Sequence, residues 1–176
     1  LMCDEIQCGM FRCGTHPFGF QHFGITPDVV TIAKGIASGF PMGMCAAREE
    51  VAASFAPGDH GSTFGGSCLA VAAARATVRE LSEGGIAEQV EQVGAYMREC
   101  LAALPHVEQV RGLGLMVAVD FDADASAPDV VLKGLDAGLL LNFTGPHTLR
   151  FLPPLICTRE DVDVLIERLG GILSAL

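Results

Sequence analysis

The sequence predicts an α/β region followed by an α+β region, and three observations support this. Short apolar runs in the first third of the chain, such as residues 29–33, end in glycine-rich turns, as buried strands do. Apolar residues between positions 86 and 104 recur at helical spacing. After Arg111 the pattern changes to shorter strands and helices. We therefore expect a first domain over residues 1–66, connecting helices over 67–104 and a small C-terminal domain over 105–176.

The elements of the first part follow from apolar runs and from the turn residues between them. A loop over residues 9–24, rich in glycine and aromatic residues, is too irregular for a helix or strand. Pro57-Gly58 ends one element, and the small-residue turn at 61–66 precedes another. The predicted elements are strands at residues 1–4, 28–33 and 42–47, a short helix at 48–55 and a helix at 67–82.

The elements of the second part follow from the same signals. A long amphipathic helix covers residues 86–104, and residues 107–121 form either a strand pair or one long bent strand. Thr158 is a candidate N-cap, and Asp161 three positions later completes a box-like helix start. The remaining predicted elements are a helix at 128–137, short strands at 139–143 and 148–152, and a final helix at 158–176.

Composition excludes several classes of function. The net charge is −10 and is spread evenly, which argues against nucleic acid or an anionic membrane as a partner. No apolar run approaches the roughly 18 to 20 residues of a membrane span. Seven cysteines occur without a CxxC pair, and we expect reduced, buried thiols and a cytoplasmic protein. The five histidines show no metal-binding spacing, so no metal site is predicted.

Lys34 and Asp4 are the residues whose positions suggest chemistry. Lys34 is one of two lysines, and it follows an apolar run and enters a glycine-rich turn. Because an amine at the end of a buried strand loses hydration, we expect Lys34 to be buried. Loss of hydration favours the neutral amine that imine chemistry with a carbonyl compound requires. Asp4 ends another apolar segment, and an acid near such an amine suggests a site for pyridoxal phosphate (PLP). Alternatively, Asp4 is a turn or cap acid, and Lys34 reaches back to solvent.

Other polar side chains offer weaker indications. Gln7 is placed to donate to the cofactor ring oxygen or is an ordinary loop amide. Ser62 and Thr63 lie between glycines ahead of a helix, which suits a phosphate or a plain capping turn. Arg150 is a cation in an apolar strand followed by prolines, so it requires a carboxylate. That carboxylate belongs either to a substrate or to a structural salt bridge.

Seven segments together resemble the PLP-dependent class III aminotransferases. Within that class, the stretch PGDHGSTFGG at residues 57–66 favours the acetylornithine-type branch. Cys8 stands where the family has threonine, and Ser67-Cys68 where it has Asn-Pro, although neither departure removes a ligand. The segments are Asp4-Glu5-Ile6-Gln7-Cys8-Gly9, Phe23-Gly24-Ile25-Thr26-Pro27-Asp28, Thr31-Ile32-Ala33-Lys34-Gly35, Gly39-Phe40-Pro41-Met42-Gly43, residues 55–66, Arg111-Gly112-Leu113-Gly114-Leu115-Met116 and Leu149-Arg150-Phe151-Leu152-Pro153-Pro154-Leu155.

The resemblance implies a fold and a set of roles. The implied fold is the type I fold of PLP-dependent transferases, with residues 1–66 in the later part of the large domain. Asp4 would contact the pyridine nitrogen, Gln7 would lie by the ring oxygen and Lys34 would carry the cofactor. The same resemblance counts Glu5 among the cofactor-binding residues. It also implies a homodimer in which Thr63 contacts the phosphate of the cofactor bound to the neighbouring subunit. Ser62 would lie near the substrate, and Arg150 would help to hold a substrate carboxylate.

The implied function is transamination of N2-acetylornithine with 2-oxoglutarate, a step of arginine biosynthesis. Within the class, ornithine, succinylornithine and 4-aminobutyrate remain alternative amino donors, and a lyase or racemase would share Lys34 and Asp4. The family's upstream phosphate loop, ring-stacking aromatic residue and second arginine are absent from this sequence. We therefore expect a fragment that holds the cofactor weakly or not at all by itself. A truncated, non-catalytic interaction domain is the alternative.

Overall fold

The computed structural model describes all 176 residues, which divide into two compact units. The first unit comprises residues 1–12 and 16–87, and the second comprises residues 13–15 and 88–176. The predicted domain limits at residues 66 and 105 remain a proposal. Among the helices between those limits, the one at Cys68–Glu83 lies in the first unit, and most of the one at Ile86–Ala102 lies in the second.

The first unit contains a three-stranded sheet in the order β1-β2-β3. The strands are β1 (Met2–Asp4), β2 (Val29–Ile32) and β3 (Met44–Ala47). β1 runs parallel to β2, whereas β3 runs antiparallel to β2 and forms an edge. The helices are α1 (Glu49–Ala52) and α2 (Cys68–Glu83), with 3-10 helices at Gly19–Phe23 and Lys34–Ala37.

The second unit is built on an antiparallel sheet in the order β4-β5-β7-β6. Its strands are β4 (Val107–Leu113), β5 (Met116–Phe121), β6 (Asn142–Gly145) and β7 (Thr148–Phe151). Its helices are α3 (Ile86–Ala102), α4 (Ala127–Asp136) and α5 (Arg159–Leu173). Fully buried leucines form much of the core, namely Leu101, Leu115, Leu149, Leu169 and Leu173.

Most predicted elements are present, one pair of alternatives is resolved and two elements differ from the prediction. Residues 107–121 form the strand pair rather than one bent strand, because Gly112 and Gly114 have positive φ angles at the hairpin. The irregular loop over 9–24 contains a 3-10 helix at Gly19–Phe23. The strand predicted at 139–143 begins only at Asn142. Leu139 instead takes part in the turn that closes α4, where Gly138 is left-handed and the Leu139 N–H donates to the Gly134 carbonyl oxygen.

Side-chain capping fixes the start of α5 as predicted. The Thr158 hydroxyl oxygen accepts from the Asp161 N–H, and the Asp161 carboxylate accepts from the Thr158 N–H at 2.9 Å. These two bonds satisfy donors that a helix start leaves unpaired. The bond from Thr158 is the main reason why the pKa of Asp161 is lowered. The predicted capping box is therefore confirmed.

The cysteines are less buried than expected. Cys13 and Cys157 are buried, but Cys45 and Cys68 are exposed, so the predicted burial is wrong for these two. Cys45 lies on the edge strand β3, whose four residues are all exposed, and Cys68 begins α2. No helix has the length and apolar character needed to cross a membrane. No group of three or more histidine, cysteine, aspartate or glutamate side chains is arranged to hold a metal ion.

Candidate active site

Asp4 and Lys34 lie at the same edge of the sheet in the first unit. Asp4 is the last residue of β1 and is aligned with Thr31 on the neighbouring parallel strand β2. Lys34 comes three residues after Thr31, just beyond the end of β2. Ligands of α/β proteins bind outside the carboxyl ends of parallel strands. The register therefore brings the predicted acid and the predicted amine to the edge where such a site is expected.

The Asp4 carboxylate is held in a tight turn and is otherwise exposed. Its Oδ1 atom accepts a hydrogen bond from the Ile6 N–H at 3.0 Å. An aspartate that bonds the backbone two residues ahead stabilises a turn directly after a strand. Asp4 thus acts as the turn acid considered above, and the same bond limits the directions in which its carboxylate points.

Lys34 is exposed, so the prediction that it is buried is wrong. β2 ends at Ile32, and Lys34 begins a 3-10 helix in which Ile36 and Ala37, rather than the lysine, face the interior. Its backbone is also unusual, since φ is +49°. A left-handed conformation is costly for a residue with a Cβ, and such residues concentrate at functional sites.

Glu5 does not occupy the position expected of a cofactor ligand. Its side chain is only 4% exposed, and both carboxylate oxygens accept from the backbone. Oε2 accepts from the Gly19 N–H and Oε1 accepts from the Phe20 N–H, each at 2.8 Å. Its assignment as a cofactor contact is therefore corrected, because the carboxylate points inward to the 9–24 loop.

Gln7 lies in the turn that follows Asp4 and Glu5. It is half-buried, and the turn closes through a 3.0 Å bond from the Gly9 N–H to the Glu5 carbonyl oxygen. Gly9 has no room for a side chain, because a Cβ there would lie 2.7 Å from that oxygen. Asp4, Glu5 and Gln7 therefore share one short, closed turn at the sheet edge.

Ser62 and Thr63 lie in an exposed loop of the first unit rather than at a helix start. The Gly65 N–H donates to the Ser62 carbonyl oxygen at 3.3 Å, which makes a turn, and α2 begins only at Cys68. The residue before α2 makes no side-chain capping bond. Both predicted hydroxyls are accessible, and neither caps the helix.

Arg150 belongs to the second unit, on strand β7. Its Nη2 group donates to the Asn142 Oδ1 atom at 2.9 Å, and Asn142 is paired with it across the antiparallel ladder. Both residues line a cavity of about 680 Å³ in the same unit. Sequence reasoning missed Asn142, whose only signal would have been the register of β6 against β7. The rest of the lining is mostly apolar and includes Met97, Leu141, Phe151, Pro153 and Leu165.

Residues 1–173 match the family Aminotransferase class-III. The chain belongs to this family. Class III aminotransferases are PLP-dependent, and the predicted family and fold type I are confirmed.

One acetylornithine aminotransferase, from Caldanaerobacter subterraneus subsp. tengcongensis, is 44% identical over 177 residues. Another, from Methanocaldococcus jannaschii, is 39% identical over 180 residues. The alignments cover 98% and 100% of this chain but 44% of each relative, so the chain spans less than half of their length.

Solved structures of aminotransferases are also similar to this chain. Ornithine aminotransferase from Toxoplasma gondii ME49 has a TM-score of 0.89 and 34% identity, covering 99% of this chain and 43% of that one. N-acetylornithine aminotransferase from Stenotrophomonas maltophilia K279a has a TM-score of 0.88 and 34% identity, covering 99% and 47%. Another structure of the Toxoplasma protein shows partial occupancy of PLP at its active site.

Proposed function

We propose that the protein containing this chain is a PLP-dependent aminotransferase. The observation that carries the proposal is the placement of Asp4 and Lys34 at the carboxyl ends of two adjacent parallel strands. When bound, PLP supplies an aldehyde and a ring that accepts electrons from the substrate. An exposed carboxylate and an exposed primary amine at one sheet edge are the two side chains that such a group requires.

Asp4 and Lys34 perform different tasks in this proposal. Asp4 binds the protonated ring nitrogen and keeps the proton there, since a nearby carboxylate favours the charged form of that nitrogen. The bond from the Ile6 N–H keeps the Asp4 carboxylate in place. Lys34 is the residue that would hold the cofactor through its aldehyde group, and its amine, when free, would accept a proton from the substrate as a base and return it as an acid.

The remaining candidates support the cofactor and the substrate. Gln7 donates to the ring oxygen from the closed turn after Asp4. Thr63, in an exposed loop, binds the phosphate of the cofactor in a second subunit, and Ser62 beside it contacts the substrate. Arg150 binds a substrate carboxylate, and Asn142 keeps the Arg150 guanidinium oriented through Nη2. These roles make a homodimer the working assembly.

We propose N2-acetylornithine as amino donor and 2-oxoglutarate as acceptor, as part of arginine biosynthesis in the cytoplasm. The names of relatives at 37% to 44% identity support this choice, as does the PGDHGSTFGG stretch. Several structural neighbours are ornithine aminotransferases, so ornithine is the nearest competing donor. We also propose that residues 1–176 alone hold PLP weakly, because the chain spans less than half the length of the relatives it matches.

Glutamate formation tests the proposal. The natural gene product that contains this chain would be incubated with PLP, 2-oxoglutarate and one donor from a panel of acetylornithine, succinylornithine, ornithine and 4-aminobutyrate. We expect the highest kcat/KM with acetylornithine and no turnover in Lys34→Ala. Faster turnover of ornithine would overturn the substrate assignment only. Unchanged glutamate formation in Lys34→Ala would overturn the proposed function.

A further inference from the structure

We propose that Glu5 is a positioning residue that holds the turn carrying Asp4 and Gln7 in the geometry that PLP requires. The inference rests on the proposed function and extends it to a residue with no role in the chemistry. Glu5 is the only charged side chain that is buried, at 4% exposure. A buried carboxylate is costly unless hydrogen bonds compensate for its lost hydration, so its retention at this position requires a reason.

Glu5 joins three segments of the first unit. Its N–H donates to the Thr31 carbonyl oxygen on β2 at 2.8 Å, and its own carbonyl oxygen accepts from the Gly9 N–H at 3.0 Å. Its carboxylate accepts from the Gly19 and Phe20 N–H groups at 2.8 Å each. The first bond reaches the strand that leads to Lys34, the second closes the turn after Asp4, and the carboxylate reaches the 9–24 loop.

Close packing around the carboxylate leaves little freedom. A Cβ at Gly19 would lie 3.3 and 3.4 Å from the two Glu5 oxygens and 3.1 Å from the Cys8 Cβ. The Phe18 and Phe20 rings stack on either side of Gly19 along the chain, with centroids 5.6 Å apart and 6° between their planes. The loop therefore fits closely around the carboxylate. The two hydrogen bonds to it have a charged acceptor, and such bonds are stronger than those between neutral groups.

The position of Glu5 between Asp4 and Gln7 makes its effect on the site direct. Without the carboxylate, the Gly19 and Phe20 N–H groups lose their acceptor inside a closed loop, and the loop must move to find another. Movement of Glu5 displaces the residues on both sides of it, although the strand pairing of Asp4 with Thr31 remains possible. The expected consequence is weaker PLP binding in a protein that still folds.

The test compares PLP affinity with local backbone protection in the natural gene product. The variants are Glu5→Gln, which keeps one acceptor, Glu5→Ala, which keeps none, and Gly19→Ala, which disturbs the fit from the loop side. The readouts are the PLP dissociation constant from absorbance titration and amide hydrogen exchange of residues 5–9 and 18–20 without PLP. Glu83→Gln is the matched carboxylate control, because Glu83 is exposed at the end of α2.

We expect Glu5→Ala to weaken PLP binding by about tenfold or more, since it removes two bonds to a charged acceptor, and Glu5→Gln to weaken it less. Hydrogen exchange at Gly19 and Phe20 should rise in the same order. Gly19→Ala should act in the same direction, and the double variant with Glu5→Ala should show less than the sum of the two effects. If Glu5→Ala does not fold, the Glu5→Gln and Gly19→Ala variants provide the same comparison.

The Ala76→Gly variant controls for the possibility that Glu5 variants bind PLP weakly only because the whole protein is less stable. Ala76 is exposed in α2, and glycine there weakens the helix. That variant should lower the melting temperature without changing PLP affinity. Unchanged PLP affinity in Glu5→Ala, together with raised exchange at Gly19 and Phe20, would overturn the positioning role while the proposed function stands. Absence of PLP binding by the unmodified protein would overturn both.

Discussion

The left-handed backbone at Lys34 predicts opposite effects of glycine at the two lysines of this chain. Lys34 has φ +49°, whereas Lys133 lies inside α4 with helical geometry, and both side chains are exposed. We compare alanine with glycine at each position, so that all four variants lack the lysine side chain and the two members of each pair differ only in the Cβ. The comparison is made without PLP, because PLP binding would stabilise only proteins that retain Lys34.

The magnitude follows from two opposing terms. A left-handed residue with a Cβ costs about 1–2 kcal/mol, whereas glycine costs about 0.5–1 kcal/mol more chain entropy than alanine. The Lys34→Gly variant should therefore be more stable than the Lys34→Ala variant by about 0.5–1 kcal/mol. In the interior of a helix, glycine is about 1 kcal/mol less stable than alanine, so the order at position 133 is reversed.

Urea unfolding of the four variants measures the difference. With a slope of roughly 2 kcal/mol per molar urea, the Lys34→Gly midpoint should lie about 0.4 M above that of Lys34→Ala. The Lys133→Gly midpoint should lie about 0.5 M below that of Lys133→Ala, so the two glycine-minus-alanine differences are about 1 M apart. The prediction requires equal slopes across the variants. A lower midpoint for Lys34→Gly than for Lys34→Ala would show that position 34 has an ordinary backbone, and the argument from strain would fail.

Three further predictions concern the second unit. The Arg111 guanidinium donates to the Asp120 carboxylate at 2.8 and 3.1 Å and lowers the pKa of that carboxyl from its usual value of 3.8. The ion pair therefore stabilises the fold above that pH, and this contribution is lost as the pH falls through the lower pKa of the folded state. Asp120→Asn should remove this pH dependence from urea midpoints measured between about pH 2 and 5. A Cβ at Gly94 would overlap the Gly114 carbonyl oxygen, so Gly94→Ala should destabilise by about 3 kcal/mol. At Gly171 in α5 a Cβ meets nothing within 4 Å, so Gly171→Ala should stabilise by about 0.5–1 kcal/mol.

The predictions for Asp120→Asn and Gly94→Ala can each be contradicted by one result. If Asp120→Asn and the unmodified protein lose stability in parallel as pH falls, the Arg111–Asp120 pair contributes nothing in the folded state. If Gly94→Ala unfolds at the same urea concentration as the unmodified protein, the close approach of α3 to the β4–β5 hairpin is relaxed by small movements.

Local signals in the sequence predicted most of the fold because the physics there is local. The Thr158–Asp161 box is a short-range hydrogen-bond pattern, and it marked the start of α5 correctly. The apolar run at residues 29–33 predicted β2, and helical periodicity predicted α3. The prediction for residues 139–143 was less accurate, because a glycine-ended helix extends its closing turn into an apolar stretch.

Features that depend on distant parts of the chain were not predicted. The exposure of Lys34 depends on which segments pack over the edge of the sheet. The apolar run before Lys34 in the sequence contains no information about those segments. The inward direction of Glu5 depends on backbone N–H groups 14 and 15 residues away. Asn142 meets Arg150 through a strand register interrupted by an irregularity between Phe143 and Gly145, and pattern analysis does not resolve such a register.

The site itself was predicted in part, since the sequence singled out Asp4 and Lys34 and the structure places both at one sheet edge. Their roles remain a proposal, as do those of Gln7, Ser62, Thr63 and Arg150. The resemblance to class III aminotransferases is confirmed over residues 1–173. Glu5 was counted among the cofactor-binding residues through the resemblance, whereas in the structure its carboxylate bonds the Gly19 and Phe20 N–H groups instead.

The attachment point of the cofactor is the most direct test of the central claim. The natural gene product would be loaded with PLP, reduced with borohydride, digested and mapped by mass spectrometry, with Lys133→Ala as the matched control. Only two lysines occur in this chain, so the outcome is unambiguous within it. We predict that the cofactor mass is found on the peptide containing Lys34 and is retained in Lys133→Ala. A label on Lys133, or a labelled Lys34→Ala protein, would contradict the account.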